Sequence, residues 1–363
     1  MVYNEIRKKT KTIKIGNRQI GGNSDILIQS MTNTNTLDFD ATLNQIKELE
    51  NCGCDIVRVT MPSIESTKVI KYLKENNVGI PVVADIHFDY KIALECAKSG
   101  IDKIRINPGN IGEEWKIKEV VEACKFYNIP IRIGVNGGSL EKHILEKYKS
   151  PTPEALAESA FYHVSLLEKF SFDNIVISVK TSDVNNMIRA NEIISSKCDY
   201  PIHLGVTEAG DSYSGLVKNS IGIGALLSRG IGDTIRVSLT ANPKEEIIAA
   251  KEILSSLGIY NKGRIDIVSC PTCGRTKIDL ISLSERFKKA IEAIDTKGKN
   301  IKVALMGCVV NGPGEAKECD IGIAGGDHEA VLFKNGQIVK KISEDTIIET
   351  LIMEIEKLIN EKE

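Results

Sequence analysis

Cys270 and Cys273 stand three residues apart in Ser-Cys-Pro-Thr-Cys-Gly-Arg at 269–275, and Cys308 follows in Met-Gly-Cys-Val-Val-Asn-Gly-Pro-Gly-Glu-Ala at 306–316. A tight turn with two thiolates, joined by a third from another strand end, supplies three soft ligands to one metal centre. A fourth is required, and Glu315 and Cys319 are the candidates. Four thiolates suit a [4Fe–4S] cluster and a structural zinc alike, so ligand type alone leaves the metal open. A reactive or buried thiol pair is the non-metal reading.

A second set of residues points to anion binding. Arg58, Arg105, Arg132, Lys180 and Arg236 each lie in or at the end of a short β-branched run. Guanidinium groups grip phosphate oxygens in a bidentate manner, and Asn107, Asn136 and the amides around Gly137, Gly138 and Ser139 complete a cradle. Asp85, His87, Ser182, His203, Thr207 and Ser238 are the remaining candidates for substrate contact. Asp85, Asp55 or Asp102 could instead pair some of the arginines as structural salt bridges.

These residues need a scaffold. Runs at 26–32, 56–60, 82–85, 103–107, 131–136, 174–180, 202–207 and 234–240 alternate with amphipathic segments such as 41–50, 63–76, 90–99, 153–170 and 243–257. Eight βα units in this length predict a (β/α)8 TIM barrel over 1–258. Alternate residues point to opposite faces of a strand. Ile104, Ile106, Ile131, Ile133, Val135, Ile177, Val179, Leu204, Val206, Ile235, Val237 and Leu239 therefore face the helices, and the charged parity faces the lumen. Residues 258–264 read as a linker. Strand-like runs at 265–269, 302–306, 320–324 and 330–334, with helices near 284–295 and 344–362, predict a smaller α+β domain over 259–363 that carries the metal centre.

Composition narrows the function classes. With 42% hydrophobic and 26% charged residues and a net charge of -2, the 363-residue chain has no overall attraction for nucleic acid or an anionic membrane. No stretch approaches the ~18 apolar residues of a membrane span, and residues 1–12 show no signal-like apolar run, so a cytoplasmic protein is expected. Nine cysteines without a secretory signal favour thiols or metal ligands over disulfides. Cys52, Cys54, Cys96, Cys124 and Cys198 read as packing residues. Gly222 and Gly224 do not extend into a dinucleotide-binding loop.

The cysteine motifs, with Leu-Gly-Val-Thr-Glu-Ala-Gly at 204–210, resemble the bacterial 4-hydroxy-3-methylbut-2-enyl diphosphate synthase family. The resemblance extends through 56–60, 84–88, 104–110 and 131–140. It implies a two-electron reductive dehydroxylation and ring opening of 2-C-methyl-D-erythritol 2,4-cyclodiphosphate to hydroxymethylbutenyl diphosphate in the non-mevalonate isoprenoid pathway. It also implies one [4Fe–4S] cluster per chain, held by Cys270, Cys273, Cys308 and Glu315, with Cys319 outside the ligand set. A ferredoxin or flavodoxin would donate electrons, and the family's homodimer has one chain's cluster domain capping the other's barrel. A carboxylate binds iron more weakly than a thiolate, so substrate can displace Glu315. Glu208 is the candidate proton donor for the departing oxygen. The rivals are a barrel transferase resembling dihydropteroate synthase, with a zinc that only folds the small domain, and a non-enzymatic iron or redox sensor.

Overall fold

The computed structural model describes residues 5–260, 262–309, 314 and 316–361. The chain divides into two compact units, residues 1–260 and 261–363. The first is a parallel barrel of β3 (Leu27–Met31), β4 (Ile56–Thr60), β5 (Val82–Asp85), β6 (Lys103–Ile106), β7 (Ile131–Asn136), β8 (Ile175–Lys180), β9 (His203–Leu204) and β10 (Thr234–Ile235). They run in the order β8-β7-β6-β5-β4-β3-β10-β9, and a parallel bridge between Ile177 and Ile202 brings the ends together. The seventh and eighth strands are shorter than their hydrophobic runs predict. Past Leu204 and Ile235 the chain turns into loops over the lumen, and the apolar parity of Val206 and Val237 is used for packing without ladder pairing.

Helix starts follow local chemistry. Asp38, Asp89, Thr152, Asp183, Asp211 and Asn242 each cap a helix by accepting a backbone N–H, and Pro153 and Pro243 occupy the first turns of theirs. The outward parity of the strands is buried with the helices' apolar faces in one continuous core that includes Ile104, Ile133, Ile177, Leu204 and Ile235.

The inward parity changes character along the barrel. At the N-terminal end Leu27, Ile56, Val83 and Val176 form a separate apolar layer with Ile13, Ile15 and Ile20. The last three belong to a hairpin of β1 (Ile13–Ile15) and β2 (Arg18–Ile20), which the sequence reading left unassigned. This plug dries one end of the barrel and leaves the polar layers to the other. Ile15 is fully buried, and Ile15→Ala is expected to cost about 2–5 kcal/mol in denaturant unfolding. A cost below about 1 kcal/mol would show that the hairpin does not seal the barrel.

The second unit is a five-stranded sheet, β11 (Arg264–Ser269), β12 (Asn300–Met306), β13 (Ile321–Gly325), β14 (Glu329–Lys334) and β15 (Gln337–Ser343). The first three strands are parallel and the last two antiparallel. The helices Leu280–Ile291 and Ile347–Asn360 bury Leu283, Phe287, Leu351 and Ile355 against it. β15 was missed by the sequence reading because its residues are largely exposed and carry no alternating apolar signal. Among the described residues no helix is long and apolar enough to cross a membrane.

Candidate active site and cysteine loops

The C-terminal ends of the barrel strands surround a cavity of about 110 Å³ lined by Arg58, Asp85, His87, Arg105, Arg132, Gly134, Asn136, Ser178, Lys180, Thr207 and Arg236. Parity places these side chains in the lumen, and strand register brings them to similar depth: Asp85 pairs with Arg105, Arg105 with Arg132, and Asn136 with Lys180. Gly134 leaves room for the Arg105 guanidinium, which a Cβ at this position would displace.

Among the described residues Asp85 is the only carboxylate lining this cavity. It accepts from Arg105 Nη1 at 3.1 Å, lies 3.7 Å from Arg58 Nε and 4.0 Å from His87 Nε2. Burial alone would raise its pKa, but Arg58, Arg105, His87 and Arg132 together hold it below the usual carboxylate value. Burial pulls the Arg58 guanidinium down to about 9 against the opposing field of Asp85, and Arg236 and Arg105 add to the fall. Burial and the neighbouring guanidiniums likewise push Lys180 well below the ordinary lysine value. Lys180 Nζ, Arg132 Nε and Arg236 Nε are buried without a hydrogen-bond partner. Five cations facing one carboxylate form a site with capacity left for an anion.

Asp85→Asn removes the counter-charge and leaves two buried guanidiniums, so unfolding stability at neutral pH is expected to fall by about 3–5 kcal/mol. The same loss should appear in wild type as pH drops through the depressed Asp85 pKa and the carboxylate is protonated. Unchanged stability of the variant in a chemical denaturation would contradict this pairing.

The other predicted site residues fall around the cavity at different depths. Asn107 caps Pro108–Ile111 through Gly109 N and donates to Ser139 Oγ at 3.3 Å, tying together the loops after β6 and β7. Glu208 is exposed in the loop after β9 with a φ of 51°, a left-handed conformation uncommon for a residue with a side chain. Ser182 is exposed beyond β8, and half-buried Ser238 offers its carbonyl to Asn219. His203 does not line the cavity. It is fully buried, with Nδ1 2.7 Å from Thr234 Oγ1 and Nε2 without a partner. Asp55 and Asp102 accept from Ile28 N and Val82 N.

Sequence reasoning overlooked Lys103, Gln29 and Met31. Lys103 is buried in the lumen with an unpartnered Nζ, two residues before Arg105 and so at the same parity. Gln29 Oε1 accepts from Arg132 Nη1 at 2.7 Å, and Met31 Sδ faces the Arg58 guanidinium at 2.8 Å. Parity could have found all three. A search for ionic residues passes over Gln29 and Met31.

In the second unit, Cys270 follows β11 directly and Cys308 stands just past β12, its parallel neighbour. Gly307 N donates to Cys270 Sγ at 3.3 Å, and Lys277 N donates to Gly307 O at 2.9 Å. A Cβ on Gly307 would come within 2.8 Å of Thr276, so this glycine permits the two loops to approach. Cys270 and Cys308 are half-buried, Cys273 is exposed, and all are free thiols. Cys319 is buried among Ala304, Met306, Ala316, Ala324 and Phe333, a cluster against which Cys270 also packs, and burial pushes its thiol pKa up and favours the protonated form. Glu315 lies outside the described residues. Among the described residues no three His, Cys, Asp or Glu side chains stand close enough together to hold a metal ion. The donor chemistry nonetheless fits a thiolate-held centre: three accessible thiols on two touching loops, one already receiving an N–H donor of the kind that stabilises ligating sulfur.

Comparison with known proteins covers both units. The family model described as the GcpE TIM-barrel domain matches residues 10–251, and that of the GcpE protein C-terminal domain matches 266–357. The 4-hydroxy-3-methylbut-2-en-1-yl diphosphate synthase (flavodoxin) of Caldanaerobacter subterraneus subsp. tengcongensis is 57% identical over 358 residues, 99% of each chain. Its namesake from Fusobacterium nucleatum subsp. nucleatum is 56% identical over 356 residues, 98% of each. Among solved structures, dihydropteroate synthase from Stenotrophomonas maltophilia has a TM-score of 0.50 at 11% identity, covering 69% of this chain and 100% of that one. Type I 3-dehydroquinate dehydratase from Clostridium difficile has 0.50 at 15%, covering 68% and 98%. At such identities these two show the barrel fold alone.

Proposed function

The chain belongs to the GcpE family, and from that premise we propose that it converts 2-C-methyl-D-erythritol 2,4-cyclodiphosphate to 4-hydroxy-3-methylbut-2-en-1-yl diphosphate. The observation that carries this reading is the barrel cavity, lined among the described residues by five cations and a single carboxylate. A cyclic diphosphate brings the negative charge that such a cavity lacks.

Arg58, Arg105, Arg132, Lys180 and Arg236 bind and orient the two phosphoryl groups, with Asn107, Asn136, Ser139, Ser182, Thr207 and Ser238 supplying neutral hydrogen bonds around them. Asp85 positions Arg58 and Arg105 and leaves the charges of Arg132, Lys180 and Arg236 without a carboxylate partner in the cavity. His87 sits at the rim, and His203 acts from beneath as a positioning residue. The reaction opens the ring at a carbon–oxygen bond, removes one hydroxyl oxygen as water and consumes two electrons. A [4Fe–4S] cluster held by Cys270, Cys273, Cys308 and Glu315 would supply those electrons one at a time, at an iron whose carboxylate ligand can be exchanged. Glu208, exposed in the loop after β9, gives the departing oxygen its proton.

A flavodoxin, named in the relatives' own descriptions, is the proposed electron donor. A homodimer and a cytoplasmic location are part of the same proposal and rest on the family resemblance. Metal analysis of protein purified without oxygen tests the reading. A brown protein with about four iron and four sulfide per chain is expected. Colourless protein with one zinc would instead support a structural metal and a barrel transferase.

A further inference from the structure

We propose that the face built from the Cys270–Lys277 turn and the helix Leu280–Ile291 is the docking surface for an acidic, flavin-carrying electron-transfer protein of the flavodoxin kind; this rests on the proposed reductive function. The helix buries Leu280, Leu283 and Phe287 in the small-domain core. Its other side lines a cavity of about 360 Å³ with Cys270, Pro271, Thr272, Ile281, Ser284 and Glu285. Lys288, seven residues after Ile281, extends the same helical face.

Three observations single this face out. Apolar side chains are exposed there and next to the proposed ligands in the chain: Ile281 on the helix is 64% exposed, Val309 after Cys308 is 49% and Val268 two residues before Cys270 is 36%. Around them Arg275, Lys277, Arg286, Lys288 and Lys289 are exposed, and among the described residues none of the five forms an ion pair, whereas surface lysines such as Lys147, Lys169, Lys341 and Lys357 do. Residues 270–291 thus hold five cations and two carboxylates in a chain whose net charge is -2, and one of the two, Asp279, caps the helix by accepting from Ser282 N.

An apolar centre at the redox group with an uncompensated charged rim suits small, transient electron-transfer contacts, in which complementary charge steers encounter. An acidic carrier matches that rim. Exposed Cys273 lies within the patch, so an electron need not cross the domain core to enter. Each encounter oxidises the carrier's flavin by one electron and reduces the small domain by one, and two encounters supply one turnover.

The test is Lys288→Glu/Lys289→Glu in the full-length, cluster-loaded protein, with Lys288→Arg/Lys289→Arg as the charge-conserving control. Binding of a bacterial flavodoxin at low salt is measured by calorimetry alongside turnover driven by flavodoxin or by dithionite. The reversal is expected to weaken flavodoxin binding and raise its KM about 10- to 100-fold. The arginine control and dithionite-driven turnover should match wild type. Unchanged flavodoxin binding after reversal would overturn the docking surface, as would an equal loss of dithionite-driven turnover, which would assign the face to contact with a barrel. Wild-type protein that binds flavodoxin with this charge dependence but fails with dithionite would count against the proposed reaction and leave the surface standing.

Discussion

Cys270→Ala protein purified without oxygen is expected to lose nearly all of its iron and sulfide and to turn over the cyclic diphosphate only at background. Cys270 is joined to both cysteine loops, following β11 and accepting the N–H of Gly307 on the loop that carries Cys308. Removing its sulfur deletes a proposed ligand and, among the described residues, the hydrogen bond that joins the two loops through a thiol. Two thiolates and a weakly binding carboxylate would not retain the proposed cluster. Far-ultraviolet circular dichroism should be unchanged, because the core of this unit is built from Leu283, Phe287, Ile323, Leu351 and Ile355 without Cys270 as a central member. Iron near the wild-type value in the variant would remove Cys270 from the ligand set. Cys319→Ala, in contrast, should keep its iron.

The second large effect is expected at Lys180. Its Nζ is buried, has no hydrogen-bond partner and is crowded by Arg236, Arg58, Arg132 and Arg105. Lys180→Met should lower kcat/KM by about 100- to 1000-fold, the equivalent of one or two charge-assisted hydrogen bonds to a phosphoryl group. Stability should move the other way, rising by about 1–3 kcal/mol, because a desolvated amine among like charges is replaced by a chain of similar shape.

The pH dependence has a definite sign. Lys180 has a lower pKa folded than unfolded, so the unfolded chain binds more protons and stability rises with pH until the ordinary value of 10.5 is passed. The methionine variant should lose that slope. Loss of activity with equal loss of stability would mean that Lys180 is a structural residue.

Much of the barrel was legible because its strands obey two rules at once. In Ile131–Asn136 one parity is Ile131, Ile133 and Val135, all fully buried in the outer core, and the other is Arg132, Gly134 and Asn136, which line the cavity. Period-two alternation fixes both faces. It failed at β9 and β10, which end after two residues, while the loops that follow keep the same alternation with isolated backbone bonds such as Arg236 N to Leu204 O. The plug hairpin stayed hidden because Ile13, Ile15 and Ile20 form a three-residue apolar pattern too short to distinguish from a loop. Depth in the lumen was also unreadable: His203 and Arg236 share an inward parity, but only Arg236 reaches the cavity. For the cysteines, spacing gave the turn and the strand ends, whereas the choice between zinc and iron came from the family resemblance.

The central claim is that the cationic barrel presents a cyclic diphosphate for two-electron reduction. Anaerobic incubation of the reconstituted protein with 2-C-methyl-D-erythritol 2,4-cyclodiphosphate and dithionite, followed by mass spectrometry, tests it most directly. Multiple-turnover formation of 4-hydroxy-3-methylbut-2-en-1-yl diphosphate is expected, with two electrons consumed per product. Recovery of unchanged cyclodiphosphate from protein carrying its full iron and sulfide would contradict it.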